Sequence, residues 1–221
     1  MNSYFTRIPY WIKAIFPNQI WSLPNTNKEI YLTFDDGPTP EITEWILKTL
    51  EQYNAKATFF CVGNNIKKHP TLFNNIIKNN HNVGNHTFNH EKGWKTNNNN
   101  YLNSILKTEE LIRTLFCQTL PKKNEQQLTK LFRPPYGKIK RSQTKSLIKK
   151  NYKIVMWSVL SWDFDKSINS ETCLNNVIKN TQSGDIVVFH DNEKAFDKLK
   201  VVLPKTLEHF SKKGYVFKKI T

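Results

Sequence analysis

From Glu29 onward, short apolar runs alternate with longer stretches of helical periodicity. The runs are EIYLTF at 29–34, ATFFCV at 57–62, the brief NVGNHT at 82–87, KLFR at 130–133, KIVMWSV at 153–159, DIVVFH at 185–190 and YVFKKI at 215–220. Several are continuously apolar rather than alternating, as parallel strands buried on both faces are. Between the first two runs, Thr39 is placed as an N-cap and Pro40 as the first helical residue, and Ile42, Trp45, Ile46, Leu50 and Tyr53 recur at helical spacing. Similar helical patterns cover about 64–79, 100–116, 140–150, 170–181 and 196–213. Seven strands alternating with about six helices predict βαβ units around a parallel sheet. PKKNEQQLTK, at 121–130, reads as a loop. No boundary divides the chain, so residues 29–221 are expected to form one domain. Residues 1–28 precede it as an extension in which Trp11, Ile12, Ile15 and Phe16 give a short apolar helical face to pack onto it.

Polar residues gather where these runs end. Asp35 and Asp36 follow the first, His86 and His90 the third, and Arg133, Pro134, Pro135, Tyr136 and Gly137 the fourth. Asp163 comes shortly after the fifth, and His190 and Asp191 end the sixth. Five such groups at the carboxyl ends of parallel strands share one rim, and in a parallel barrel that rim carries the active site. The α/β architecture expected is therefore a distorted (β/α) barrel of about seven parallel strands, rather than an open doubly wound sheet.

HTFNH places His86 and His90 four residues apart, on one side of a helix or a tight turn. Two histidines and a carboxylate with an open position make a known catalytic zinc arrangement. Taken alone, HTFNH is as readily a chance pairing, and TFDDGP, at 33–38, is as readily a turn between strand and helix. Together they point to a metal: Asp36 completes the ligand set, and a divalent cation relieves the repulsion between adjacent carboxylates. Gly37 permits the turn and Pro38 ends the strand.

Composition changes this picture little. The 221 residues carry a formal charge of +15, spread over lysine pairs such as Lys67–Lys68 and Lys149–Lys150 rather than gathered in one arm. No zinc-finger, basic-zipper or RNP pattern accompanies the charge, so nucleic acid is not an expected partner. Cys61, Cys117 and Cys173 are odd in number and far apart, which fits unpaired thiols in a reducing compartment. No apolar run reaches the length of a membrane span, and the N-terminus lacks the continuous apolar stretch of a signal peptide. A cytoplasmic location is expected on those grounds. Nothing in the sequence sets the oligomeric state.

TFDDGP, ATFFCVG, HTFNH, RPPYG, WSVLSWDF and IVVFHD stand in the order and approximate spacing of the polysaccharide deacetylases of carbohydrate esterase family 4. The chain resembles that family from about Glu29 to Thr221. The resemblance implies a distorted barrel and a metal-dependent hydrolase that removes N-acetyl, or O-acetyl, groups from an acetylated sugar or polysaccharide. It implies Asp36, His86 and His90 as ligands of one divalent ion, Zn²⁺ before Co²⁺, Mn²⁺ or Ni²⁺. Asp35 becomes the general base, Arg133 its tether, His190 the general acid and Asp163 the partner that raises the acid's pKa. The Tyr136 backbone N–H joins the oxyanion hole, and Val188 and Pro135 line the substrate site. One motif departs from the family's Asp-x-x-Asp-Trp pattern: Leu160 stands for the first Asp and Phe164 for the Trp, while Asp163 keeps the second Asp.

Two other readings stay open. One keeps the metal and takes a small N-acyl or cyclic amide substrate; the other is a glycan-binding module without catalysis. A serine hydrolase is disfavoured because no G-x-S-x-G occurs.

Overall fold

The computed structural model describes residues 5–24, 27–120 and 128–221. Strand β1 (Glu29–Asp35) is central, hydrogen-bonding in parallel to β2 (Ala57–Cys61) on one side and β7 (Ile186–His190) on the other. Its alternate residues face two different cores. Ile30, Leu32 and Phe34 point towards the helices, where Phe34 stacks between its strand partners Phe59 and Phe189 at ring-centroid distances of 5.0 and 5.9 Å. Each such fully buried side chain contributes about 1.5–3 kcal/mol relative to exposure. Tyr31 lies instead with Phe60, Leu131, Val155 and Ile186 in a second cluster, and Thr33 and Asp35 continue that inner face up to the rim.

From β2 the sheet continues through β3 (Asn82–Asn85), β4 (Leu131–Phe132) and β5 (Lys153–Ile154); from β7 it continues to β6 (Val159–Leu160). All these pairings are parallel, and β8 (Val216–Phe217) joins the start of β1. The expected strand 153–159 is thus two. Its first half bonds β4 and its second half bonds β7, so one segment belongs to both ends of the sheet and closes the barrel. Counting that segment once, there are seven strand positions. The notches left beside the bend are filled from the N-terminus. Ile20 bridges Val155, Ser22 bridges Asp185, and Thr6 to Ile8 run antiparallel to Val159.

The helices lie outside. They are α2 (Ile42–Gln52), α3 (Gly63–Lys68), α4 (Pro70–Lys78), α5 (Asn98–Thr119), α6 (Arg141–Lys149), α7 (Ser170–Asn180) and α8 (Glu193–Lys212). Four starts differ from expectation, that of α8 falling at Glu193 behind its Asn192 cap rather than at 196. The pattern at 64–79 is broken into α3 and α4 at Pro70, which has no N–H to continue a helix. Thr39 does not cap α2. The helix begins at Ile42 behind Glu41, whose φ of 62° ends the preceding turn, while the Thr39 N–H donates to the Thr43 hydroxyl. The asparagine run at 97–100 opens α5, with the Asn97 side chain accepting from the Asn100 N–H.

In the N-terminal helix α1 (Tyr10–Ile15), Ile12 packs towards Trp21 and Met156, but Trp11, Ile15 and Phe16 are exposed. Backbone pairing on either side holds this segment, so its helix buries little. Of the loop expected at 121–130, residues 121–127 lie outside the described residues, as do 1–4 and 25–26 of the extension. No helix among the described residues is long and apolar enough to cross a membrane.

Candidate active site

Asp35 and His190 end β1 and β7 as direct register partners. Parallel pairing puts both side chains on the barrel's inner face at the rim. Below them Arg133 crosses the lumen, fully buried. Its Nη1 donates to Asp35 Oδ1 and Thr33 Oγ1, both at 2.7 Å, while Nε and Nη2 donate to the carbonyls of Val155 and Met156 at 3.2 and 2.8 Å. Those carbonyls belong to the bend between β5 and β6. One guanidinium therefore satisfies the seam of the barrel and fixes one oxygen of Asp35, with the Phe60 ring 4.1 Å from its centre.

Asp36 follows in a left-handed conformation, φ 89°, which turns its side chain away from that of Asp35. Its Oδ1 lies 3.1 Å from His90 Nε2 and 3.6 Å from His86 Nε2. It is buried and has no hydrogen-bond donor. The HTFNH segment is not helical; left-handed Thr87 and His90 (φ 64° and 59°) bend it into a turn that brings the two imidazoles to 5.0 Å. Non-glycine residues held in such conformations cost about 1–3 kcal/mol each, and they cluster at functional sites. His86 Nδ1 is 2.7 Å from the Arg133 carbonyl oxygen, so Nδ1 carries the proton and Nε2 presents a lone pair to Asp36. Burial lowers the His86 pKa to about 4, which keeps the ring neutral, as a ligand must be. Burial pushes Asp36 upward, but His90 and His190 outweigh it and hold the carboxyl well below its usual range. The ligand atoms of Asp36, His86 and His90 all lie within 4.8 Å of one another. A buried, undonated carboxylate oxygen facing two imidazole nitrogens fits one divalent cation with N,N,O ligands and an open side.

Opposite, His190 Nδ1 is 2.8 Å from Asp163 Oδ1, and Asp163 Oδ2 accepts from the His190 backbone N–H at 2.7 Å. Burial alone would lower the His190 pKa, but the Asp163 charge and hydrogen bond, with Asp36 and Asp35 behind them, raise it to about 9. Phe164 meets the His190 ring edge-on at 4.9 Å, and Trp162 lies 5.5 Å from Phe164. Val188, two residues below His190, is buried and registers with Leu160 on β6, so the two share one face of the sheet. Pro135 is buried, while Tyr136 (φ 60°) is exposed with its ring 4.6 Å from that of His90. The ten residues picked out by sequence thus come from five strand ends, with Arg133 and Val188 lying below the rim. Trp94 stands apart, exposed and donating its indole N–H to the Ile139 carbonyl.

Three contributors have no role assigned from sequence: Asp191, seen there only as part of the rim, and Asn65 and Asn192, which carry no signal. Asp191 accepts from the Gly37 N–H and the Thr43 hydroxyl at 2.8 and 2.7 Å, pinning the TFDDGP turn, and burial raises its pKa to about 8. Asn65 donates to the Asp36 carbonyl, and Asn192 to Asp36 Oδ2. Lone asparagines in so asparagine-rich a chain attract no attention; a partner 29 or 156 residues away gives them meaning.

A family described as polysaccharide deacetylase matches residues 22–155, more than half of the chain, and the chain belongs to that family. It is 39% identical over 170 residues to a peptidoglycan-N-acetylglucosamine deacetylase of Bacillus cereus, covering 77% of this chain and 58% of that protein. A second Bacillus cereus protein of the same description is 35% identical over 201 residues, covering 89% of this chain and 88% of its own length. Among solved structures, the Bc1960 peptidoglycan N-acetylglucosamine deacetylase superposes with a TM-score of 0.84 at 34% identity, over 96% of this chain and 95% of that one.

Proposed function

We propose that this chain is a metal-dependent deacetylase that hydrolyses the N-acetyl group of an N-acetylglucosamine-containing glycan of the peptidoglycan type. The observation that carries this is Asp36 Oδ1, buried and undonated between two histidine nitrogens, with a tethered carboxylate and a carboxylate-paired imidazole beside it. The names of the relatives support the choice of glycan. Zn²⁺ suits the two-histidine, one-carboxylate set best, and when bound supplies Lewis acidity for the acetyl carbonyl and for the attacking water.

The chain's own groups do the rest. Asp35, with one oxygen fixed by Arg133, keeps the other to take a proton from the attacking water. The Tyr136 backbone N–H donates to the carbonyl oxygen as negative charge grows on it. His190, held protonated by Asp163, gives its proton to the departing amine. Val188 and Leu160 offer an apolar wall for the acetyl methyl, and Pro135, buried in the turn after β4, is the further residue taken to line the substrate site. Where the family pattern puts a carboxylate, Leu160 makes this wall less polar.

The test is acetate release by zinc-loaded protein from N-acetylglucosamine oligomers and peptidoglycan fragments, run beside small N-acyl compounds and cyclic ureides. Release from the glycans is the expected result. Turnover confined to the small amides would move the substrate class, and binding without turnover would leave a glycan-binding module.

A further inference from the structure

We propose that Asn192 is a positioning residue for Asp36, selecting which carboxylate oxygen faces the histidines; this rests on the metal reading above. Asn192 Nδ2 donates to Asp36 Oδ2 at 2.6 Å, while its own Oδ1 accepts the Ala195 N–H at 3.1 Å as the N-cap of α8. The cap fixes the amide's orientation, because the oxygen is committed to the helix and only the nitrogen can face Asp36. Two further bonds hold the Asp36 backbone in its left-handed turn. Its N–H donates to the Phe60 carbonyl at 3.2 Å, and Asn65 Nδ2 donates to its carbonyl at 2.8 Å. With Oδ2 engaged, Oδ1 alone is left to the ligand site.

A carboxylate with both oxygens free can rotate and bind through either or both; one tied through Oδ2 presents a single atom in a fixed direction. Groups that orient metal ligands in this way change metal affinity by about 10–100-fold when removed. Asn192 also lies two residues after His190. The Asp191 N–H donates to the Asp35 carbonyl and the Asp191 carboxylate accepts from Gly37. The start of α8 is therefore stitched to the TFDDGP turn at three successive residues, and Asn192 makes the stitch that reaches a ligand.

The cap and the ligand contact are separable. Asn192→Ser keeps a capping oxygen, since serine caps about as well as asparagine, but its side chain is one bond shorter and ends short of Asp36. Asn192→Ala loses both. Zn²⁺ affinity is measured by competition with a chromogenic chelator, and thermal unfolding of metal-free protein reports the cap. The expected result is a wild-type melting temperature for Asn192→Ser with Zn²⁺ affinity down about 10–100-fold, and for Asn192→Ala a loss in both. A purely structural role for Asn192 predicts that serine restores both quantities, and wild-type Zn²⁺ affinity in Asn192→Ser overturns the proposal. A wild-type protein that binds no Zn²⁺ overturns the metal reading and this proposal with it.

Discussion

Asp35 and His190 occupy one rung of the sheet, as Cα partners on adjacent parallel strands. The proposed base and acid are therefore separated by a strand spacing, about 4.8 Å between backbones. Their different tasks come from what lies behind each: a guanidinium behind Asp35 and a carboxylate behind His190. The first fixes one oxygen of the carboxylate in place, and the second favours an imidazole that stays protonated.

Asp35→Asn is expected to leave fold and metal binding intact, because the amide oxygen still accepts from Arg133, and to cut turnover by about 10²–10⁴-fold, the usual share of a general base. Acetate release and Zn²⁺ stoichiometry on one preparation check this. Full turnover with metal bound would remove Asp35 from the role.

The pH profile has a definite sign. A general acid works protonated, so activity falls as pH rises through the His190 pKa, about 9 in the metal-free chain. A divalent cation at Asp36 cancels that carboxylate's contribution and itself opposes the imidazolium, so the limb falls below that value while Asp163 still holds it up. In Asp163→Asn the basic limb of kcat/KM moves downward, towards the ordinary histidine value near 6.5. Stability follows the same linkage: the His190–Asp163 pair contributes fully below about pH 6.5 and loses that contribution as pH rises through about 9. A pH series of denaturant melts on wild type and Asp163→Asn separates the two curves.

Metal removal should inactivate without unfolding. The barrel core and the bonds of the Arg133 guanidinium to Thr33, Asp35, Val155 and Met156 do not depend on the cation, so chelator-treated protein should keep its circular dichroism and recover activity when Zn²⁺ returns. His86→Ala should bind Zn²⁺ too weakly to recover. Undiminished Zn²⁺ affinity in His86→Ala would displace it as a ligand.

Arg133→Ala tests the lumen. It strands the Val155 and Met156 carbonyls and the buried Asp35 carboxylate. Breaking a buried ion pair from one side costs about 3–5 kcal/mol, which should be plain in the urea midpoint. A loss of activity with an unchanged midpoint would show that Arg133 only orients the base.

Gly37→Ala tests the turn. A Cβ at Gly37 would sit 1.8 Å from Asp191 Oδ2, so the buried carboxylate must move and release both Gly37 and Thr43. Lower thermal stability and weaker Zn²⁺ binding should appear together, because Asp36 is carried by the same turn.

Much of this arrangement was readable from residues alone. β1, β2 and β7 are buried on both faces, so their apolar runs are unbroken, and each ends in residues that make sense only at a rim. KIVMWSV was harder. Its seven residues look like one strand, yet Met156 and Trp157 span the bend, and only the position of β7, brought back by α7, decides that the second half leaves β4. The start of α2 was hidden for a similar reason: Glu41, rather than the favourable Thr39-Pro40 pair, turns the chain, because Thr39 is held against Thr43. Asn65 and Asn192 were invisible as contributors, and Asp191 was placed at the rim without a task, because their partners are distant in sequence.

The seam has a consequence for the company the molecule keeps. Unpaired strands at a sheet's margin are templates for another chain, and proteins must blunt or cover them to stay soluble. Here one bent segment occupies both margins, and Thr6 to Ile8 and Ile20 to Ser22 fill the notches it leaves. Trimming residues 5–24 would therefore do more than shorten a tail: it would strip the backbone partners of Ile154, Met156, Ser158 and Leu160 and invite aggregation in a protein whose catalytic groups were untouched.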